Sequence, residues 1–214
     1  MSRRIAIVGN GNIPEGLAGA IDSADIVIRF NLCRSAGPGG TKTDVVAVCN
    51  TGRPALEMLA GGRWKASDAV RQAKEIWCVR TSEMFAAMRS PLAESHPDLD
   101  DFCDDYTIGF DTFARVTGRR LDVVPAAVHR AVDASLAAFD PPPYVVASSG
   151  LIVIAHVLDN VAKDGDRVSI AGFGHEGWQW HPFAAERRWV DARIAAGRLD
   201  RLDHQNKTPA SRGS

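Results

Sequence analysis

Short runs dense in valine and isoleucine alternate along this chain with stretches of helical periodicity, and few folds accept that pattern. "RIAIVG", "DIVIRFN", "DVVAVCN", "EIWCVR" and "RVSIAGF" read as short, buried strands. Helical patterns lie between and beyond them at 16–23, 54–59, 65–74, 83–94, 126–139, 149–162 and 182–197. The alternation predicts an α/β fold, a Rossmann-like and mainly parallel sheet with helices on both faces. In such sheets ligands sit outside the carboxyl ends of the strands. The loops that follow the strands are therefore where chemistry is expected.

The length of 214 residues suits one core, and the sequence is read as a single domain over 1–203. The remainder, "HQNKTPASRGS" from His204, is polar and aperiodic and is expected to be disordered. Formal net charge is −1 with no long run of lysine or arginine, so no nucleic-acid partner is expected. The apolar run in "MSRRIAIVGNGN" is too short for a signal sequence, and no segment approaches the roughly 20 apolar residues of a membrane span. Cys33, Cys49, Cys78 and Cys103 are widely spaced and form no C-x-x-C pair. Free thiols and a cytoplasmic location follow as expectations.

Three loops carry candidate chemistry. In "IVGNGNIPEG", Gly9 and Gly11 permit close backbone approach, and Asn10 and Asn12 add amides able to bind a base, ribose or phosphate. The run is a nucleotide-binding loop in outline, or a strand-to-helix turn with glycines for geometry alone. It is not the G-x-G-x-x-G fingerprint, because Pro14 stands at the third glycine, and it lacks the lysine of a P-loop. In "ASSGLIVIAHVLDN", Ser148, Ser149 and Gly150 open a helix, where hydroxyls and amides either meet a phosphate or merely cap. His156, inside that helix, reads as a core histidine. In "GFGHEGWQWHPFAAERRWV", Pro182 sits at a helix start, which puts His181 beside the cap. The helix dipole there favours neutral imidazole, as a general base requires, with capping as the plain alternative. His175, Glu176, His181 and Glu186 read alternatively as ligands for zinc or nickel, although no fixed helical metal spacing is present.

Together these loops resemble the sialylmotifs of the animal-type sialyltransferase family. The long motif is similar to "IVGNGNIPEGLAGAIDSADIVIRFNLCRSAGPGGTKTDVV", the short motif to "VVASSGLIVIAHVLDNVAKDGDRVSIAGFG", and the very short motif, His then four residues then Glu, to "HPFAAE". The continuation from Trp189 through "GRLDRL" is also similar. The whole chain resembles, in addition, a bacterial group labelled urease operon accessory protein.

The sialylmotif resemblance implies a sialyltransferase-like glycosyltransferase fold. It implies an inverting, metal-independent enzyme without cofactor that moves a sugar acid, sialic acid or Kdo, from a CMP-linked donor to a glycan or small hydroxyl acceptor. Asn10 and Asn31 would contact the nucleotide, Ser148, Ser149 and Gly150 its phosphate or ribose, and His181 would deprotonate the acceptor. Glu186 would orient His181, although i to i+5 on a regular helix places them about 140° apart. His175 would assist the phosphate. The chain departs from the family in lacking the cysteine pair that links the long and short motifs, in Ala147 where proline is usual, and in the compressed "HEGW". The other readings are a non-catalytic nucleotide-binding protein and a urease-associated accessory protein handling metal through His175 and His181.

Overall fold

The computed structural model describes residues 2–203, so the tail from His204 lies outside the described residues. Seven strands pair in parallel throughout: β1 (Arg4–Val8), β2 (Ile26–Phe30), β3 (Val45–Val48), β4 (Glu75–Cys78), β5 (Arg120–Val123), β6 (Arg167–Ala171) and β7 (Asp200–Arg201). Their order is β5-β4-β3-β2-β1-β6-β7. The helices around them are α1 (Ala18–Asp22), α2 (Gly52–Ala60), α3 (Gly62–Ala66), α4 (Asp68–Gln72), α5 (Ser82–Ser95), α6 (Thr107–Val116), α7 (Ala126–Leu136), α8 (Ser149–His156) and α9 (Phe183–Ala195). This is the expected α/β, Rossmann-like arrangement.

Successive side chains of a strand face opposite sides of the sheet, so each strand feeds two cores. Ile5, Ile7, Ile28, Phe30, Val45 and Ala47 pack with α7, α8 and α9. On the other face Ala6, Val8 and Val27 pack with α1, and Val46, Val48, Ile76 and Cys78 pack with α2, α3, α4 and α6. α8 is buried over five consecutive residues, Leu151 to Ala155, which explains its all-apolar sequence. It runs on into a π-helical turn, Val157–Val161.

Three elements were not legible in the sequence. β5 lies at the sheet edge, where "RLDV" alternates exposed and half-buried and shows no apolar run. β7 is two residues long. α6 contains Gly109, threonines and terminal valine, all weak helix formers, and is held by burial of Phe110 and Ala114. The helix expected over 65–74 divides at Ser67, whose Oγ accepts from Val70 N to start α4.

The chain leaves β1 toward β2, β3, β4 and β5 on one side and later returns to place β6 and β7 on the other. Connections therefore diverge at the carboxyl ends of β1 and β6, which opens a crevice there. Among the described residues no helix is long and apolar enough to cross a membrane.

Candidate functional site

A cleft of about 820 Å³ fills that crevice. Gly9, Asn10, Gly11, Asn31, Ser148, Ser149, Gly150, His175, His181 and Glu186 all line it, whereas Asn12 is exposed and does not.

The glycine loop after β1 is committed to holding the fold. Gly9 N donates to Ala171 O at 2.8 Å and Gly11 N to Gly172 O at 2.9 Å, so these amides join the β1 and β6 loops. A Cβ on Gly9 would lie 2.3 Å from Gly172 O, and one on Gly11 2.8 Å from the same oxygen. The glycines exist for backbone-to-backbone approach. Asn10 is likewise engaged: its Nδ2 donates to Phe30 O and its Oδ1 accepts from Arg34 N. Asn31 has a left-handed backbone (φ 49°), accepts from Cys49 N at Oδ1 and is gripped at its carbonyl by Trp64 Nε1.

The start of α8 is built differently. Ser148 Oγ caps the helix by accepting from Leu151 N, and Ser148 gives both its N–H (2.7 Å) and its hydroxyl (2.6 Å) to the Glu186 carboxylate. Glu186 is buried, and desolvation raises its pKa against the lowering pull of Ser148 and Arg80. It anchors Ser148 through these bonds, while His181 is oriented by Val146, whose carbonyl accepts from Nδ1 at 2.8 Å. Because a carbonyl only accepts, Nδ1 carries the proton and Nε2 keeps its lone pair. Burial pushes the His181 pKa down to about 4, with Arg80 adding to the effect against the Val146 bond. Desolvation thus does what the helix dipole was expected to do; α9 begins two residues later, at Phe183. Ser148→Ala removes the cap and strips the buried carboxylate of one partner. An unfolding free energy about 2 kcal/mol lower is expected in urea titrations.

Sequence reasoning missed Arg80. Among the described residues two arginines are buried, Arg29 within β2 and Arg80 just beyond β4, and they differ. Arg29 donates to Lys42 O, Thr43 Oγ1, Ser35 Oγ, Gly39 O and Gly40 O, and is fully used in structure. Arg80, 1% exposed and lining the cleft, donates from Nη2 to Ala147 O at 2.9 Å, and its buried Nε has no partner. No carboxylate stands within salt-bridge distance of it among the described residues; Asp133 and Glu186 act on it as more distant charges. The signal was the charge ending the otherwise apolar run "EIWCVR" just where α/β sheets bind ligands.

Aromatic rings wall the cleft. Phe102 and Trp178 stack with centroids 5.4 Å apart and planes 11° apart, and Trp178 meets His181 edge-on. Phe102 is tied down by the Thr51 hydroxyl, which donates to its carbonyl. His175 adopts a left-handed backbone (φ 52°) with its Nε2 buried and unpartnered, and burial, Arg201 and Arg187 push its pKa down to about 4. Among the described residues no three His, Cys, Asp or Glu side chains are grouped to hold a metal ion. The arrangement can accept a hydrogen bond at His181 Nε2 and hold an anion between Arg80 and the start of α8.

Fold and cleft together define a Rossmann-like α/β protein with a crevice at the switch point of its sheet. The chain is 64% identical over 200 residues, covering 94% of its own length and 93% of the relative, to the protein named urease operon 23 kDa accessory protein from Rhizobium meliloti (strain 1021). It belongs to that family of urease operon accessory proteins. No family model matches the chain, so the resemblance to sialyltransferases finds no support there. The expectation of a glycosyltransferase with a CMP-linked sugar acid donor and a glycan acceptor is corrected accordingly: a near full-length relative is a urease accessory protein. The short sialylmotif-like runs correspond to turns and caps that this sheet needs for its own packing, as Gly9, Gly11 and Asn10 illustrate.

Proposed function

We propose that this chain is a cytoplasmic accessory protein of a urease operon, acting as one domain over 1–203, that binds a nucleotide-class phosphate anion in the cleft. The name of the 64% identical relative supports the accessory role. Four free cysteines and the lack of a membrane-crossing helix among the described residues accord with the cytoplasm. The observation that carries the anion is Arg80, a buried guanidinium lining the cleft with an unpartnered Nε and, among the described residues, no ion pair. A buried charge whose nearest carboxylates lie beyond ion-pair distance is unfavourable, and an entering anion relieves it. Ser149 and Gly150, in the first turn of α8, present amides beside it, Trp178 and Phe102 offer flat apolar faces to a base, and His181 Nε2 accepts from a ligand hydroxyl.

Calorimetry with ribonucleoside monophosphates, set against inorganic phosphate, tests the ligand. Saturable binding of a nucleotide is expected, and no heat at millimolar concentration of any of the four overturns it. Arg80→Met is expected to weaken that affinity by roughly 10- to 100-fold through loss of a charge-assisted contact; an unchanged Kd removes Arg80 from the site. Deletion of the gene is expected to lower urease activity in the host, with recovery on complementation. Full activity without the gene overturns the accessory role.

A further inference from the structure

Three of the four cysteines are sealed in the fold. Cys33, Cys78 and Cys103 are buried, and burial pushes the Cys33 and Cys78 thiols up to about 12. Cys49 alone is partly open, and it lines the cleft. It follows directly on β3, with its backbone N–H pinned to Asn31 Oδ1 at 2.7 Å. Arg80 lines the same cleft, and its buried Nε has no hydrogen-bond partner. A partly open thiol that shares an accessible cleft with a cation lacking an ion pair is where thiol exchange concentrates.

We infer that Cys49 is the exchangeable thiol of this chain, that small disulfides bearing a carboxylate are drawn to it by Arg80, and that the mixed disulfide closes the cleft. The Cys49 sulfur gives up its proton and attacks one sulfur of the disulfide. A bond forms between Cys49 and that sulfur, the reagent's own S–S bond breaks, and the departing thiolate takes up a proton. The small disulfide is reduced by one thiol as Cys49 is oxidised. Exchange at Cys49 stands independently of the nucleotide; the blocking of a ligand by the adduct rests on the anion site proposed above.

The test uses the full chain with 5,5′-dithiobis(2-nitrobenzoate), a dicarboxylate disulfide, and with neutral 4,4′-dithiodipyridine. One thiol is expected to react in the native chain and the other three only in urea, with peptide mass spectrometry placing the adduct on Cys49 and Cys49→Ser abolishing the native reaction. The rate ratio of the anionic to the neutral reagent is expected to fall about tenfold in Arg80→Met and to fall with added salt in the wild type. A native adduct on another cysteine, no native reaction, or a ratio indifferent to salt overturns the inference. Should Arg80→Met not fold, the salt dependence decides. The adduct is also expected to abolish nucleoside monophosphate binding, and retained affinity overturns the closure. A chain that binds no nucleotide before modification overturns the nucleotide reading while the exchange result stands.

Discussion

Gly9→Ala is expected to lower the unfolding free energy by about 3 kcal/mol. The added methyl would stand 2.3 Å from Gly172 O and 3.0 Å from Gly172 C, both backbone atoms. No rotamer change relieves such a contact. Relief requires the β1 and β6 loops to separate, which breaks the bonds from Gly9 N to Ala171 O and from Gly11 N to Gly172 O. Gly19→Ala is the matched control: nothing lies within 4 Å of its added Cβ, and the residue is helical. That variant is expected to be more stable by about 0.5 kcal/mol, because alanine loses less backbone freedom on folding. Urea titrations of both check the pair. A Gly9→Ala chain as stable as the wild type would mean that the two loops are not locked together as described.

The second large effect is acid lability. Burial pushes His129, His175 and His181 each to about 4, with Arg80 contributing at His129 and His181, and Arg201 and Arg187 at His175. Their folded values lie below the ordinary imidazole value of about 6.5, so the unfolded chain takes up protons first. The stability they contribute is fully present above about pH 6.5 and is lost as pH falls through about 4. For His129 and His181, the more deeply buried pair, the loss is on the order of 3 kcal/mol each. Glu186 works the other way: its raised value contributes stability that is present below the ordinary carboxyl value and lost as pH rises through the raised one. One carboxyl does not outweigh three imidazoles, so unfolding free energy is expected to fall steeply from pH 6.5 to 4. In His129→Gln the slope should drop by one proton, since Nε2 of His129 serves only to donate to Val79 O. A flat profile across that window would show that these rings are not held neutral by burial.

Much of the site was legible as position and little of it as role. Ser148, His181 and Glu186 were picked from local pattern, and the fold brings them to one cleft. Yet Glu186 holds Ser148 while His181 is held by Val146, thirty-five residues away in the chain. The glycine-asparagine loop reads in sequence as either a nucleotide-binding loop or a turn with glycines for geometry alone, and in the structure its amides and Asn10 hold neighbouring loops. Arg29 and Arg80 look alike in sequence, each a cation at the end of an apolar run. Only the count of bonds each makes separates the structural one from the one left wanting a partner.

The sequence by itself determined the α/β class and the five strands β1, β2, β3, β4 and β6, because strand and helix periodicity are local and burial follows them. Tertiary structure alone decided the edge strands β5 and β7, the helix α6, the meeting of the β1 and β6 loops, and which polar groups remain free. Those depend on partners far apart in the chain, such as Arg80 and Ala147, and hydrogen-bond satisfaction is settled only when every donor has found or failed to find its acceptor.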